Sequence, residues 1–543
     1  MSSGAHTPTE RVTSALRRGI IVIAITVAVG VALLLVSRLG GRHVTWTAAP
    51  SPGALPLPVP IAFADSATKF AAVDSYVVRE MRGVRAPGLA VVIVHGDRIV
   101  HARGFGVADS RGRPVTTSTP FILGSLTKSF TAVAVVQLSE AGKIGLDSPV
   151  QRYLPWFRVR DPAASARITV RHLLNHTSGL PKAAGLQLVR GAQADTRVKQ
   201  ARLLRRVKLR HPPGAAFEYS NANYWLLGLV LEAATGDSYE DYVHRRILEP
   251  LGMRLTFTSE STAQAYGLAQ GYRVWFGFPR PEELPYYARE LAVGYLISTA
   301  GDMGLYLSAQ LGAQAGGPAV ISPSALAELH TPPRGSPYAM GWLADSIAGV
   351  PVLWHTGAVA NYHGDMLLIP ARAGTPGIGV VMLANVNNFL LETQLGQTIK
   401  GVGALMLGFQ PPAPEFLRFR EIYWLIAGIA CVWLAWRIDQ IATLSRWSTR
   451  RSSLEGAKQD QRRRGSILVD PGVSLTLLVG VSVALGSPLS TLRWFVPDLT
   501  DWLVLNAVLS VVIGACRLLV ARSTAGRAAQ HGAESFDSSR QSR

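Results

Sequence analysis

The chain has 543 residues but only two cysteines, Cys431 and Cys516, and both lie in apolar runs near its C-terminal end. The rest of the sequence therefore offers neither a disulfide framework nor a cysteine-based zinc site. Charged residues are also scarce, at 16% of the chain, whereas 48% of the residues are hydrophobic. This balance is more apolar than that of a typical soluble protein, and it predicts segments that cross a membrane.

Acidic residues are fewer than basic ones, with 35 Asp and Glu against 54 Lys and Arg, and the net charge is +19. A charge of this size can indicate nucleic-acid binding. Here, however, +12 of the +19 lies in residues 1–42, 437–465 and 516–543, each beside an apolar run. Basic residues in that position are typical of the cytoplasmic ends of membrane helices. We therefore expect no nucleic-acid partner.

Four apolar runs are candidates for membrane spans. The first, 19–36, is just long enough to cross a bilayer and predicts an anchor within a segment 1–42. It is also compatible with the core of a signal peptide cleaved near Thr47-Ala-Ala49, although its length favours an uncleaved anchor. The other runs, at 422–436, 468–487 and 502–520, predict three transmembrane helices within 422–520.

The segments between these spans predict one topology. A Pro-rich linker at 43–61 precedes a central region at 62–410, and a second linker follows at 411–421. The basic loop 437–465 and the tail 521–543 are predicted to be cytoplasmic, because positive loops stay on that side. With four spans, both termini lie inside and the central region lies outside the membrane.

The strongest chemical signal is Ser125, followed three residues later by Lys128 at the start of a segment predicted to be helical through Ala141. Residues three apart share a helix face, so the Lys128 amine can reach the Ser125 hydroxyl. The helix N-terminus also favours an anion developing there. The lysine can accept a proton only where burial or nearby cations keep it neutral, because free lysine titrates near ~10.4.

Two further motifs follow this pair in order, Tyr219-Ser220-Asn221 and then His355-Thr356-Gly357. In this order and at these separations, the three motifs resemble those of the serine β-lactamase and penicillin-binding-protein superfamily. The similarity is greatest to its class C β-lactamase-like serine hydrolases, which include D-alanyl-D-alanine carboxypeptidases, D-aminopeptidases and esterases. It extends from about Phe63 to Phe409.

The resemblance implies an α/β (α+β) fold of the β-lactamase/transpeptidase-like type. In that fold an antiparallel sheet flanked by helices joins an all-helical lobe, and the active site lies between them. The residue pattern agrees, because apolar strands over Leu89–Val94 and Ile99–Phe105 flank a turn at Gly96 and predict a hairpin. The resemblance implies no metal and no organic cofactor.

The resemblance also implies a division of catalytic roles. Ser125 attacks a substrate carbonyl and forms an acyl-enzyme, while Lys128 and Tyr219 transfer the proton. Tyrosine normally titrates near ~10, so Tyr219 serves as a base only where cations such as Lys128 lower its pKa.

The same resemblance implies a set of substrate-binding groups. The backbone N–H groups of Ser125 and Ala358 form the oxyanion hole, a contribution of roughly 3 kcal/mol per donor. Asn221 holds the substrate amide or the catalytic amine. Thr356 and Gly357 lie on a strand edge that receives the substrate as an added strand.

His355 departs from the pattern of true class C β-lactamases, which usually have a lysine at this position. A permanent cation there recognises the carboxylate of a β-lactam or of a peptide C-terminus. Histidine is only partly charged near neutral pH, so this recognition is weakened. Family members with His-x-Gly tend to be peptidases, aminopeptidases or esterases.

Two other features invite a functional interpretation. His172 and His176 have the i, i+4 spacing of metal ligands, but no carboxylate accompanies them, and we assign them to the scaffold. The basic stretch Arg197–Arg210 is interpreted as a solvated helix face. The alternative is a surface patch that attracts acidic polymers or anionic headgroups.

The sequence therefore predicts a multi-pass protein of the bacterial inner membrane with an extracytoplasmic serine hydrolase domain. The predicted substrates are D-amino-acid-containing peptides, including cell-wall peptides, handled by a D-Ala-D-Ala carboxypeptidase or D-aminopeptidase activity. Esterase or β-lactamase activity is the enzymatic alternative. The non-enzymatic alternative is a penicillin-recognising sensor or scaffold, because three C-terminal spans exceed what tethering needs.

Overall fold

The computed structural model describes residues 66–187, 196–312, 320–372, 374–411, 418–442 and 489–541, with parts of 472–483. These residues form two compact units. One extends to Arg420 and includes Trp494–Val496, and the other contains the remaining C-terminal residues. The predicted anchor at 19–36, the linker at 43–61 and most of the loop 437–465 lie outside the described residues.

The first unit is built on an antiparallel sheet. Its strand order is β2-β1-β11-β10-β9-β8-β7, and two small sheets have the orders β12-β4-β5 and β3-β6. The strands are β1 (Gly88–His95), β2 (Arg98–Gly106), β3 (Pro120–Ile122), β4 (Tyr272–Trp275), β5 (Phe278–Pro281), β6 (Ile297–Thr299), β7 (Tyr338–Ala339), β8 (Trp342–Ile347), β9 (Val350–Val359), β10 (Tyr362–Ile369), β11 (Ile378–Ala384) and β12 (Val386–Asn387).

Helices cover both faces of this sheet, and most of them lie between β3 and β7 in the chain. Those of the first unit are α1 (Ser66–Val84), α2 (Thr127–Glu140), α3 (Pro162–Arg167), α4 (Val170–Leu174), α5 (Lys182–Gln187), α6 (Arg197–Arg202), α7 (Asn221–Thr235), α8 (Tyr239–Val243), α9 (Glu249–Leu251), α10 (Glu260–Ala265), α11 (Leu291–Gly294), α12 (Ala300–Gln310), α13 (Pro323–Leu329) and α14 (Phe389–Met406). Short 3₁₀ segments occur at Gly124–Leu126, Val150–Arg152, Leu203–Arg206 and Ala288–Glu290, and a π-helical turn at His244–Leu248.

The sheet separates two apolar cores. Helices α1 and α14 pack on one face, where Val77, Val402 and Leu367 belong to one buried apolar core. Helix α12 packs against β1 and β11 on the other face, and α2 belongs to the same apolar core. Because both faces are covered, β11 is buried along its whole length, which explains why its sequence is an unbroken apolar run rather than an alternating one. The observed hairpin of β1 and β2 agrees with the predicted one to within a residue at each end.

The C-terminal unit contains the long helices α15 (Phe419–Ala442) and α17 (Pro497–Gln541), and between them the short helix α16 (Leu489–Phe495). By length and composition, α15 and the part of α17 up to Leu519 are able to cross a membrane. The predicted spans 422–436 and 502–520 lie largely within them, and α15 continues past 436 into the start of the predicted basic loop. Of the span 468–487, a short apolar helix is described over Ser474–Val483.

Candidate active site

Ser125 lies in a tight turn that is pressed against strand β9. The turn is the 3₁₀ segment that precedes α2, and its first residue, Gly124, has φ +56°. A Cβ on Gly124 would lie 2.4 Å from the backbone nitrogen of Ala358, and one on Gly357 would lie 2.0 Å from the carbonyl oxygen of Leu123. Two glycines therefore let the serine turn and the strand meet backbone to backbone.

The Lys128 amine lies against the Ser125 hydroxyl. The distance between Nζ and Oγ is 2.9 Å, and Nζ also donates to the carbonyl oxygen of Val293 at 2.9 Å. Lys128 is fully buried, and burial lowers its pKa to about 7 against the opposing effect of Glu290. About half of the amine is thus neutral at pH 7, and a neutral amine can accept the serine proton.

Glu290 is held in place by two buried donors. Gln200 Nε2 donates to one carboxylate oxygen at 2.7 Å, and Trp225 Nε1 donates to the other at 2.5 Å. Burial raises the pKa of Glu290, while these bonds and nearby cations lower it. The negative charge of Glu290 raises the pKa of Lys128 and so opposes the loss of the lysine proton.

Tyr219 also lies beside the Ser125–Lys128 pair: the centre of its ring is 5.1 Å from Lys128 Nζ, and its phenol is close enough to the Ser125 hydroxyl for that group to favour the lower pKa. Burial raises the pKa of Tyr219 well above its usual value of 10. This is the opposite of the lowering that a base role for the tyrosine requires. Tyr219 therefore stays protonated, and Lys128 is the group with a pKa near neutrality.

Asn221 begins helix α7, directly after the Tyr219 segment. The close packing of Gly185 in α5, whose Cβ would lie 2.7 Å from the Asn221 nitrogen, fixes this end of the helix. Asn221 Oδ1 is buried and has no hydrogen-bond partner among the described residues. The described partners of Lys128 are Ser125 and Val293, so Asn221 is an orphaned acceptor rather than a ligand of the amine.

Strand β9 presents part of its length as an edge. Its pairing with β8 ends at Trp354, whereas its pairing with β10 continues to Val359. In the part of the chain that the structure describes, Thr356, Gly357 and Ala358 therefore have a strand neighbour on one side only. Thr356 Oγ1 is buried there without a described hydrogen-bond partner. This edge meets the geometric requirement for an added substrate strand.

His355 lies behind this edge, and only 2% of its surface is exposed. Its Nδ1–H donates to the Thr356 carbonyl oxygen at 2.7 Å, which leaves Nε2 to accept from the Tyr338 hydroxyl at 3.1 Å. Burial, aided by the Lys128 charge, lowers the pKa of His355 to about 3. The imidazole is neutral at physiological pH, so the partial charge expected from the sequence is absent.

Several groups around the pair escaped the sequence analysis. Glu290, Val293 and Tyr338 lie outside the three motifs and carry no local signal of function. In the basic stretch, Arg197 pairs with Glu232 at 2.6 Å and with a second glutamate, so it stabilises the lobe. The described residues contain no cluster of His, Cys, Asp or Glu suited to a metal ion, and His172 and His176 do not form part of one.

The fold and the buried lysine beside a serine define the class of serine hydrolases that use lysine in place of a catalytic histidine. The comparison with known families agrees. A family model described as Beta-lactamase matches residues 73–397, which is more than half of the chain. The chain belongs to this family, and the predicted β-lactamase/transpeptidase-like fold class is confirmed.

The most similar proteins include two curated relatives and one solved structure. Protein flp of Staphylococcus aureus (strain MW2) is 26% identical over 319 residues, which cover 58% of this chain and 63% of flp. Unguisins hydrolase ungD' of Aspergillus campestris is 29% identical over 319 residues, covering 55% and 58%. The octameric penicillin-binding protein homologue from Pyrococcus abyssi is 28% identical with a TM-score of 0.55, covering 63% of this chain and 78% of its own. The match thus spans less than two thirds of the curated relatives' length.

Proposed function

We propose that this protein is a membrane-anchored serine hydrolase that forms an acyl-enzyme on Ser125. The observation that carries the proposal is the buried Lys128 amine, 2.9 Å from the Ser125 hydroxyl and with its pKa lowered to about 7. In the first step the hydroxyl proton passes to Lys128 Nζ while Oγ bonds to the substrate carbonyl carbon. The carbonyl electron pair moves to oxygen, which the backbone N–H groups of Ser125 and Ala358 stabilise.

The tetrahedral intermediate then collapses to the acyl-enzyme. The carbon–nitrogen or carbon–oxygen bond breaks, and the leaving group takes a proton from the Tyr219 hydroxyl, which regains one from the Lys128 ammonium. Water repeats the sequence: its proton passes to the neutral amine, its oxygen bonds to the acyl carbon, and Ser125 leaves with a proton. The raised pKa of Tyr219 suits a residue that donates and regains a proton without holding a charge.

The substrate class follows from what His355 cannot do. A neutral imidazole with both nitrogens bonded inside the protein offers no charge to a substrate carboxylate. We therefore propose D-amino-acid-containing peptides that are recognised through their backbone along β9, as by a D-aminopeptidase, rather than through a free C-terminus. The same neutrality supports an esterase as the second candidate. A carboxypeptidase or a β-lactamase would need a group other than His355 to bind the substrate carboxylate.

We further propose that the domain is extracytoplasmic, with both termini in the cytoplasm of a bacterial cell. Among the described residues, α15 and the part of α17 up to Leu519 are long and apolar enough to span a membrane, which supports the anchoring, and the basic segments beside the apolar runs support the orientation. Reporter fusions placed after residue 410 and after residue 543 test it. With a reporter that is active only outside the membrane, we expect the fusion after residue 410 to be active and the fusion after residue 543 to be inactive. Equal activity of the two fusions would contradict this topology.

The hydrolase proposal is tested by labelling the full chain in detergent with a fluorescent fluorophosphonate, with Ser125→Ala as the control. We expect labelling that disappears in the variant. Absence of labelling in a folded wild-type chain would refute an activated serine. Labelling without turnover of any peptide, ester or β-lactam would instead favour the sensor or scaffold alternative.

The substrate proposal needs matched pairs. We would compare one D-amino-acid peptide with a free C-terminal carboxylate and the same peptide as its C-terminal amide, with the L-peptide as the stereochemical control. We expect kcat/KM values for the two D-peptides that agree within about threefold, because no charge at His355 distinguishes them. A strong preference for the free carboxylate would overturn the assignment. Turnover of p-nitrophenyl esters alone would favour the esterase.

A further inference from the structure

His176 is the most constrained side chain near the site that the mechanism above does not use. It is completely buried, and its backbone has φ +55°, the left-handed region that residues other than glycine rarely adopt. Such a conformation costs about 1–2 kcal/mol and persists where the surrounding contacts enforce it.

These contacts hold the residues on both sides of Tyr219. The His176 carbonyl oxygen accepts from the backbone N–H of Glu218 at 2.8 Å, and its Nδ1 accepts from the backbone N–H of Ser220 at 3.3 Å. Nδ1 also accepts from the Asn223 amide at 2.8 Å. One residue thus fixes the chain immediately before and immediately after the tyrosine.

The imidazole also supports the tyrosine ring itself. The ring centres of His176 and Tyr219 are 4.3 Å apart with an angle of 37° between the planes, and Tyr338 packs on the imidazole at 4.7 Å. Ser178 Oγ donates to Asn223 Oδ1 at 2.6 Å, which turns the amide nitrogen of Asn223 toward the imidazole. Because Nδ1 accepts, the proton is on Nε2, and burial lowers the pKa of His176 well below 6.5. The ring is a neutral support.

We propose that His176 is a positioning residue that holds the Tyr219 hydroxyl at the Ser125–Lys128 pair. The inference rests on the proposed function, because it assigns His176 a part in the proton transfer to which Tyr219 contributes. It differs from the scaffold role predicted from the sequence. A scaffold residue affects how many molecules fold, whereas a positioning residue affects how fast each folded molecule reacts.

The experiment measures fluorophosphonate labelling of the full chain in detergent, separating the labelled fraction from the maximal labelling rate and the half-saturating probe concentration. His176→Ala removes both the acceptor and the ring. His176→Asn keeps a side-chain acceptor and tolerates the left-handed backbone, but it lacks the ring. His172→Ala is the matched control, because His172 lies on the same segment and bonds the backbone of Thr169 instead.

We expect His176→Ala to lower the maximal labelling rate about 100-fold, the cost of a catalytic group misplaced by about 1 Å, with the half-saturating concentration unchanged within twofold. His176→Asn should recover about tenfold of that loss, and His172→Ala should label at the wild-type rate. If His176→Ala does not fold, the His176→Asn rate decides. Variants that lose labelled fraction but keep the wild-type rate would overturn the inference. An unlabelled wild type would instead refute the proposed function.

Discussion

The acylation of Ser125 should follow the titration of one group, the buried Lys128 amine. Its pKa is lowered to about 7, whereas the pKa of His355 is lowered to about 3 and that of Tyr219 is raised well above 10. Neither the imidazole nor the phenol therefore changes charge between pH 5 and 10. The rate over this range should report the neutral fraction of Lys128, because only the neutral amine accepts the serine proton.

The magnitude follows from that pKa. With a pKa of about 7, the neutral fraction is about 9% at pH 6, about 50% at pH 7 and about 91% at pH 8. The acylation rate should thus rise about tenfold from pH 6 to pH 8 and then level off. With the ordinary pKa of lysine, near ~10.4, the rate would rise about 100-fold over the same interval and continue to increase.

The assay is the maximal fluorophosphonate labelling rate of the full chain, measured at half-unit steps from pH 5.5 to 9.5. Glu290→Gln provides the second arm. The Glu290 charge raises the pKa of Lys128, so its removal should shift the rising limb to lower pH when each curve is scaled to its own plateau. A wild-type rate that climbs tenfold per unit through pH 9.5 would refute the neutral lysine. A limb that does not move in Glu290→Gln would refute the electrostatic link.

Three further variants test the surroundings of the site. A Cβ at Gly357 would lie 2.0 Å from a backbone oxygen, so Gly357→Ala should abolish labelling and lower the melting temperature, whereas Gly396→Ala, with ordinary contacts, should not. Lys128→Met should abolish labelling yet stabilise the fold at pH 6, measured by thermal unfolding, because burial lowers the pKa of Lys128 to about 7 and the charged amine therefore destabilises the folded state below that pH. A lower melting temperature would contradict this. Tyr338→Phe leaves the His355 acceptor unpaired and should cost about 1–3 kcal/mol in denaturant unfolding; an unchanged midpoint would show that this bond contributes nothing.

The parts of the fold and site that depend on local geometry were predictable from the sequence. The spacing of Ser125 and Lys128 predicts that the side chains meet, because helical residues three apart share a face, and their polar atoms are 2.9 Å apart. The two apolar runs on either side of the turn at Gly96 predict the hairpin, because a turn between neighbouring strands is a local feature. The family resemblance supplied the long-range arrangement of the sheet and the helical lobe.

The electrostatic properties of the site were not predictable in the same way. The pKa of Lys128 depends on burial beneath Val293 and on the charge of Glu290, both more than 160 residues further along the chain. The sequence analysis required cations to lower the pKa of Tyr219, but desolvation raises it. No motif marks the depth at which a group is buried, and burial is the largest cause of each of these shifts.

The same limit applies to the charge of the two histidines, His176 and His355. Both histidines are buried, each accepts at one ring nitrogen from a neighbouring polar group, and each is neutral as a result. The site therefore combines a buried lysine, two neutral histidines, a left-handed backbone at His176 and a pair of glycines in tight contact. Each of these lowers stability when considered alone. The packing of the two apolar cores must offset these costs, so it stabilises an arrangement around Ser125, Lys128 and Tyr219 that the local energies alone oppose.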